Sequence, residues 1–392
     1  MTGECPVCGG TELDPLVERR SVPVLLNRVF EDADAARLAP SGTLALVMCT
    51  ECGFTFNRAF DAALVDYSPE YENDQTGSPL FCRHIDDLIA RIADHQRAAA
   101  TIIEIGGGQG GFLARLLQGL DRQPDAALGF DPAYRGPERG PNGERFFKAY
   151  FGPETAGPMG KGPVLVICRH VIEHVPDPVR FLRDIYAAVA DAGPLRLFIE
   201  TPCLEWILRH RVVQDLFYEH RSYWTQHSLA CALGAGGFTP ERVDHVFDGQ
   251  YLWLEASLGR PAQEPKGGAP LALARAYVGD EPRAAGAWTA ALESLAAKGG
   301  VALWGAGAKG ATLANMIDPT GERIACLIDI NPRKQNRFVP LSAHRILDPV
   351  AASAAGVRSA MVMNPNYTPE ITAMLEDAGI DMTLTDETMI QP

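Results

Sequence analysis

The run Asp215-Leu216-Phe217-Tyr218-Glu219-His220-Arg221-Ser222-Tyr223-Trp224 packs titratable groups side by side among aromatic residues. A histidine that titrates near neutrality can take a proton from a reacting group. A carboxylate beside it could raise its basicity, anchor a substrate hydroxyl or stabilise an enediol-like intermediate. His220 is therefore the candidate base, with Glu219 and Tyr218 as its neighbours. The competing reading is an aromatic helix start packed on a sheet, with His220 satisfied structurally. A second polar group follows the apolar run Val164 to Cys168 in VLVICRHVIEHVPDP. There His170, nearest the strand end, is the expected neighbour of a cofactor's reacting atom or of substrate. Glu173 and His174 fit a hydrogen-bonded turn as well as a chemical role.

The cofactor is suggested by two acids. Thr101-Ile102-Ile103-Glu104-Ile105 is a short β-branched run ending at Gly106-Gly107-Gly108-Gln109-Gly110-Gly111, and FLARLLQGL follows with helical apolar spacing. Strand, glycine loop and helix present free backbone amides to a ligand, with Gly106, Gly108, Gln109 and Gly110 as the cradle. Glu104 would repel a pyrophosphate, yet it can bind the ammonium of an aminoacyl ligand directly or through water. Twenty-five positions after Gly106, Asp131 closes a second apolar run and is followed by Pro132. A carboxylate there suits a ribose diol. Ribose plus amino acid points to S-adenosylmethionine.

Four of the nine cysteines, Cys5, Cys8, Cys49 and Cys52, form two C-x-x-C pairs, each followed by glycine. Such knuckles turn backbone amides toward thiolates, and four thiolates make a closed tetrahedral site for a structural Zn²⁺. Buried free cysteines in a small β module are the alternative. Cys82, Cys168, Cys203, Cys231 and Cys326 are scattered, which argues against a disulfide framework.

On these residues the chain resembles known families. EIGGGQG matches the first motif of class I methyltransferases, FDP carries their second-strand acid, and RHVIEHVPDP looks like the segment after their fourth strand. Four-cysteine module, methyltransferase unit, YEHRSYW segment and second glycine-loop unit together resemble the C-methyltransferases of deoxysugar biosynthesis, which act on TDP-bound ketosugars. The resemblance implies that His220 is the base that deprotonates the carbon beside the keto group, with Glu219 as the middle acid of an H-E-H-x-S-Y element. Tyr218 stands where that element begins with histidine, and Phe217 where the family has tyrosine. DYSPEYENDQTGSPLFCRHI resembles the family's helical lid, which implies that Tyr67, Tyr71 and Asn73 face the methionine moiety or substrate.

The C-terminal third carries another strand and glycine loop, Val301 to Gly310, and a second strand ending at Asp329. Read literally this is a dinucleotide fingerprint. The resemblance implies instead a Rossmann-like unit without nicotinamide that holds the nucleotide end of the substrate, with Gly307, Lys309 and Lys334 near phosphates. A pure scaffold is the other option. Asn366, at the end of the strand in MVMNPNYTPEI, sits where open α/β sheets place ligands.

These groups need three units to position them: a zinc-binding module over residues 1–65, a Rossmann-like methyltransferase unit with its lid over 66–262, and a C-terminal Rossmann-like unit over 263–392. The Pro- and Gly-rich GRPAQEPKGGAP reads as the linker. The expected class is α/β. A length of 392 residues supports two or three cores, and a formal net charge of −14 has the wrong sign for a protein that binds phosphate backbones. The start lacks a signal-like apolar segment and no run is long enough to span a membrane, so the expectation is a cytoplasmic monomer or homodimer with a small-molecule partner, most plainly a nucleotide sugar. An O- or N-methyltransferase on a natural-product or polysaccharide precursor, and a non-catalytic binding protein, are the rival classes.

Overall fold

The fold is taken from a computed structural model that describes residues 3–65, 71–120, 123–157, 160–259 and 267–390, apart from the side chains of residues 94 and 96. Tyr67 and most of the linker, 260–266, lie outside the described residues.

The central sheet is built from β1 (Thr101–Ile105), β2 (Ala126–Phe130), β3 (Arg145–Phe147), β4 (Val164–Arg169), β5 (Leu195–Pro202), β6 (Phe238–Val246) and β7 (Tyr251–Leu258). Its order is β6-β7-β5-β4-β1-β2-β3. The five strands from β5 to β3 are parallel, while β7 and β6 run antiparallel at one edge. All five residues of β1 are buried, as expected for a central parallel strand covered on both faces. Alternate residues serve the two faces. Ile102, Leu165, Ile167 and Phe198 pack with the Gly111–Gln118 helix on one side. Ile103, Val166, Leu197 and Ile199 pack on the other with Leu182, Ile185, Leu229 and Leu233.

The lid expectation needs correction in its helical part. The helix begins only at Pro79 and runs to Ala98. Phe81, Ile85, Leu88 and Ile92 form a stripe buried against that same face, so the helix is a layer of the core.

The first sheet is antiparallel, in the order Leu13–Pro23, Ser41–Cys49, Thr55–Asn57, Ser222–Tyr223. Its last strand is supplied by the segment after β5, so a stretch of the central unit completes the sheet of the first 65 residues. The C-terminal sheet has five parallel strands in the order Ile346–Leu347, Cys326–Ile328, Gly300–Trp304, Val357–Val362, Thr383–Asp386.

The Leu271–Ala296 helix packs on the Leu13–Pro23 strand, the Leu204–His210 helix and the Gly300–Trp304 strand, and so ties all three sheets together. Arg19 fixes this seam through Glu281 at 2.8 Å and the carbonyl of Val213 at 2.8 Å. A β-bridge between Phe30 and Phe338 lays the N-terminal segment directly on the C-terminal unit. No described helix is long and apolar enough to cross a membrane.

Candidate active site

The glycine loop follows β1 because its backbone takes conformations that side chains resist. Gly106, Gly108 and Gly110 have φ of 73°, 56° and 81°. A Cβ at Gly106 would meet Val171 at 2.0 Å and one at Gly110 would meet Phe146 at 2.4 Å, whereas one at Gly108 would point into open space. The space over Gly108 is therefore open to a ligand. Its amide donates to Asp131 Oδ2 at 2.8 Å, and the Ala133 amide after Pro132 donates to Oδ1 at 2.7 Å. Asp131 is thereby held at the strand end with lone pairs remaining for a ribose diol. Burial raises its pKa, and the Ala133 and Gly108 amides oppose the rise.

Glu104 lies beneath the loop, 3% exposed, with Oε2 accepting from the Leu113 amide at 3.2 Å. Burial holds its carboxyl up to about 7, with the positive charge of Arg169 pulling the other way. A cation arriving there would stabilise the carboxylate. The Gln109 side chain braces the loop, bridging the Ala133 carbonyl at 3.3 Å and the Arg135 amide at 3.1 Å. Asn73 stands exposed on the approach to the Pro79 helix.

At the end of β4, His170 sits at φ 52°, a left-handed value rare outside glycine. Its ring meets Tyr251 edge-on at 4.7 Å, with Nε2 3.3 Å from Glu200 Oε2 and Nδ1 3.5 Å from Glu173 Oε1. Burial disfavours its charge, but Glu200 and Glu173 outweigh burial and raise the imidazole to about 9. A raised imidazole at the strand end can donate a hydrogen bond to an anion or a substrate oxygen. Glu200 also binds His84 at 2.6 Å and Arg169 at 2.8 Å. It was missed in the sequence, although it stands near the end of its strand as Glu104 and Asp131 stand near the ends of theirs.

The 219–222 segment is fastened to the loop after β4. His174 Nδ1 lies 2.9 Å from the Glu219 carbonyl, and the Ser222 amide donates to the Glu173 carbonyl at 3.0 Å. His220 is 8% exposed, meets the His174 ring edge-on at 4.8 Å and Phe217 at 4.2 Å, and leaves its buried Nδ1 without a hydrogen-bond partner. Burial and then the histidines at 174 and 170 keep it well below the usual range, hence neutral. Glu219 is 1% exposed, accepting from the Leu26 amide at 3.2 Å and the Tyr71 hydroxyl at 2.7 Å. Burial raises its carboxyl while His174, Tyr71, the Leu26 amide and Lys334 oppose the rise. Glu173, His174 and His220 also bring one donor atom each within 4.8 Å of one another. A cation bound there would take a lone pair that a base needs, so the two uses exclude each other.

Tyr218 does not belong with them. It is fully buried, stacks on Phe60 at 5.1 Å and packs with Val24 and Leu25. Its hydroxyl accepts from the Asp61 amide at 2.7 Å and donates to the Asp61 carbonyl at 3.3 Å. The reason is topological: Ser222 and Tyr223 join the first sheet, which swings Tyr218 into that unit's core.

In the C-terminal loop, Gly310 is required because a Cβ would fall 1.8 Å from the Gly305 carbonyl. Gly307 faces Asn27, whose Oδ1 would lie 3.8 Å from a Cβ there. Lys309 pairs with Asp215 at 3.0 Å and lies 5.2 Å over the Trp206 ring. Lys334 is 4% exposed and donates to Asn27 Oδ1 at 3.2 Å and the Ala306 carbonyl at 3.1 Å. Asn366 lines a cavity of about 420 Å³ with Trp206, His210, His245 and Glu387, a lining that includes none of Glu104, Asp131, His170, Glu219 and His220.

The four knuckle cysteines are free thiols whose sulfurs lie within 4.8 Å of one another. Cys5 to Cys52 is 3.6 Å and Cys8 to Cys49 is 3.5 Å. Bonds of about 2.3 Å to a tetrahedral Zn²⁺ place sulfurs roughly 3.8 Å apart, so the donor set fits that ion. Gly9 and Gly53 turn the two knuckles at φ 78° and 77°.

With this geometry in hand, comparisons become informative. The family described as "Methyltransferase domain" matches residues 78–243, and "C-methyltransferase C-terminal domain" matches residues 283–381. C-methyltransferase NovU of Streptomyces niveus is 26% identical over 398 residues, which cover 94% of this chain and 91% of NovU. Among solved structures, magnesium protoporphyrin IX methyltransferase (ChlM) from Synechocystis PCC 6803, with bound SAH, is 20% identical over 46% of this chain and 84% of its own, with a TM-score of 0.32. The 1,6-didemethyltoxoflavin-N1-methyltransferase of Burkholderia thailandensis is 20% identical over 47% and 83%, with a TM-score of 0.34.

Because the Tyr218 hydroxyl is engaged on both sides by Asp61, Tyr218→Phe is expected to lower stability by about 1–2 kcal/mol and leave turnover within about twofold. Denaturant melts and initial rates check this, and a collapse of turnover at unchanged stability would return Tyr218 to the chemistry.

Proposed function

This chain is a class I S-adenosylmethionine-dependent methyltransferase, and we propose that it methylates the carbon beside the keto group of a nucleotide-linked sugar with His220 as base. The observation that carries this reading is the His220–Glu219 pair. His220 is a neutral, nearly buried imidazole whose Nδ1 has no hydrogen-bond partner, and the residue before it, Glu219, is a buried carboxylate whose two oxygens both accept hydrogen bonds.

Carbon is a poor nucleophile until it loses a proton, so transfer to carbon needs a base that is unprotonated at rest. The depressed His220 meets that need. Bound S-adenosylmethionine would supply the electrophilic methyl group, its sulfonium sulfur keeping the pair of the broken C–S bond and departing as a neutral thioether. His220 would take the proton from the substrate carbon, and the electron pair of that C–H bond would form the new carbon–methyl bond. The positive His170 would hold the oxygen on which negative charge gathers. Tyr71 and Glu219 would fix a substrate hydroxyl or the base itself.

For the donor, we assign Glu104 to the ammonium, Asp131 with Gly108 to the ribose, and the loop Gly106 to Gly110 to the close approach of backbone. The nucleotide end of the acceptor is assigned to Gly307 at the start of the Ala308–Ile317 helix, where free amides favour anions. Zn²⁺ is assigned to Cys5, Cys8, Cys49 and Cys52 as a structural ion that takes no part in the transfer. The full-length similarity to a C-methyltransferase supports carbon as acceptor.

Incubation with methyl-labelled donor and a panel of nucleotide-ketosugars is expected to give product labelled at a carbon-bound methyl. His220→Ala is expected to lower turnover by roughly 10² to 10⁴ and to leave donor affinity intact. Label on oxygen or nitrogen, or near-normal turnover of the variant, would overturn the assignment.

A second expectation concerns pH. The Glu104 carboxyl is raised to about 7 in the free protein, so binding an ammonium must expel its proton below that value. Donor affinity should therefore climb as pH rises from about 5 to 7 and flatten above, until the donor's own amine, with a pKa of about 8, begins to deprotonate. Calorimetry at about pH 6 in two buffers of different ionisation heat should report proton release that vanishes in Glu104→Gln. Absence of release in the parent protein would remove Glu104 from the ammonium.

A further inference from the structure

Behind Glu219 runs a chain of hydrogen bonds that leaves the central unit. The Tyr71 hydroxyl donates to Glu219 Oε2 at 2.7 Å, and Asn27 Nδ2 donates to the Tyr71 oxygen at 3.4 Å. Lys334 Nζ donates to Asn27 Oδ1 at 3.2 Å and to the Ala306 carbonyl at 3.1 Å. The Asn27 carbonyl is itself fixed by the Glu72 amide at 2.9 Å. An ammonium can only donate, which forces Asn27 to turn its oxygen to Lys334 and its nitrogen to Tyr71. The Tyr71 proton is then directed to Glu219. Every bond in the chain points the same way, from cation to carboxylate.

Lys334 is 4% exposed, and both of these acceptors are neutral. A buried ammonium without a compensating anion is costly, and so is a buried carboxylate. Lys334 is among the groups that oppose the effect of burial on Glu219, after His174, Tyr71 and the Leu26 amide, and Asn27 and Tyr71 link the two.

We infer that Asn27 and Lys334 are positioning residues of the methyl-transfer site, Asn27 by orienting the Tyr71 hydroxyl and Lys334 by supplying the counter-charge that keeps Glu219 ionised. The inference rests on the proposed role of the His220–Glu219 pair. Glu219 faces His174 from the loop after β4, Tyr71 and the Leu26 amide from the N-terminal side, and Lys334 from the C-terminal unit. The zinc-knuckle module therefore reaches the chemistry through Leu26 and Asn27, and the C-terminal unit reaches it through Lys334.

The test uses the full-length, zinc-loaded protein. Asn27→Asp keeps the shape and the acceptor for Lys334 but removes the donor to Tyr71, and Lys334→Gln removes the cation. Each is expected to lower kcat at least about tenfold with KM for the donor changed less than about twofold. Each should also move the acid limb of the kcat profile to higher pH, because a carboxylate that loses positive surroundings or gains a negative neighbour binds its proton more tightly. A purely structural Asn27 would tolerate aspartate with kcat and limb unchanged.

Should a variant fail to fold, the parent protein still decides. The infrared difference between it and Glu219→Gln at about pH 6 should show an ionised carboxylate, and a protonated carboxyl there would overturn the inference. If Glu219→Gln keeps full turnover, the reading of the site fails. If Glu219→Gln is inactive while Asn27→Asp and Lys334→Gln retain parental kcat and acid limb, only the positioning role fails.

Discussion

A carboxylate taken out of water must be given hydrogen-bond donors or it will not stay charged. Glu219 is that carboxylate, and its donors come from distant stretches of chain: the Leu26 amide from the cysteine module and the Tyr71 hydroxyl from the loop before the first core helix. Lys334 of the C-terminal unit stands behind them through Asn27. The site is consequently not a property of the central sheet alone. The Leu271–Ala296 helix, packed on the first and C-terminal sheets and on the Leu204–His210 helix that follows β5, and the strand Ser222–Tyr223 completing the first sheet, hold these stretches together around Glu219.

The same economy of charge separates the histidines. His170 lies between Glu200 and Glu173 and is raised to about 9, while His220 is buried near other imidazoles and is lowered. Two histidines on adjoining loops are thus driven to opposite protonation states by what surrounds them. One can stabilise developing negative charge and the other can accept a proton, which is the pairing that deprotonation beside a ketone requires.

Strand-end chemistry was legible in the sequence because position and residue type coincide there. Glu104 lies one residue before the end of its apolar run and Asp131 just after the end of the next, and the space over Gly108 between the two strand ends is open. The cysteine knuckles were legible for a similar reason, since spacing and glycine together dictate the turn. What stayed hidden depends on contacts between distant segments. Tyr218 looks chemical beside Glu219 until the Ser222–Tyr223 strand carries it into the first sheet's core. The ion pair of Lys309 with Asp215, almost a hundred residues earlier, likewise has no trace in the glycine-loop motif. Asn27 carries no motif at all, and only its place between Lys334 and Tyr71 reveals it. The helical lid fails on periodicity: the stripe Phe81, Ile85, Leu88, Ile92 was present in the sequence and marks a core helix.

Proton removal by His220 can be isolated from methyl transfer. The protein should be incubated in D₂O with a nucleotide-ketosugar and no methyl donor, and the carbon beside the ketone followed by NMR. If His220 abstracts that proton, deuterium will enter the carbon faster than in buffer alone. A carbon that keeps its proton while the same protein transfers methyl groups to the same sugar would contradict the account at its centre.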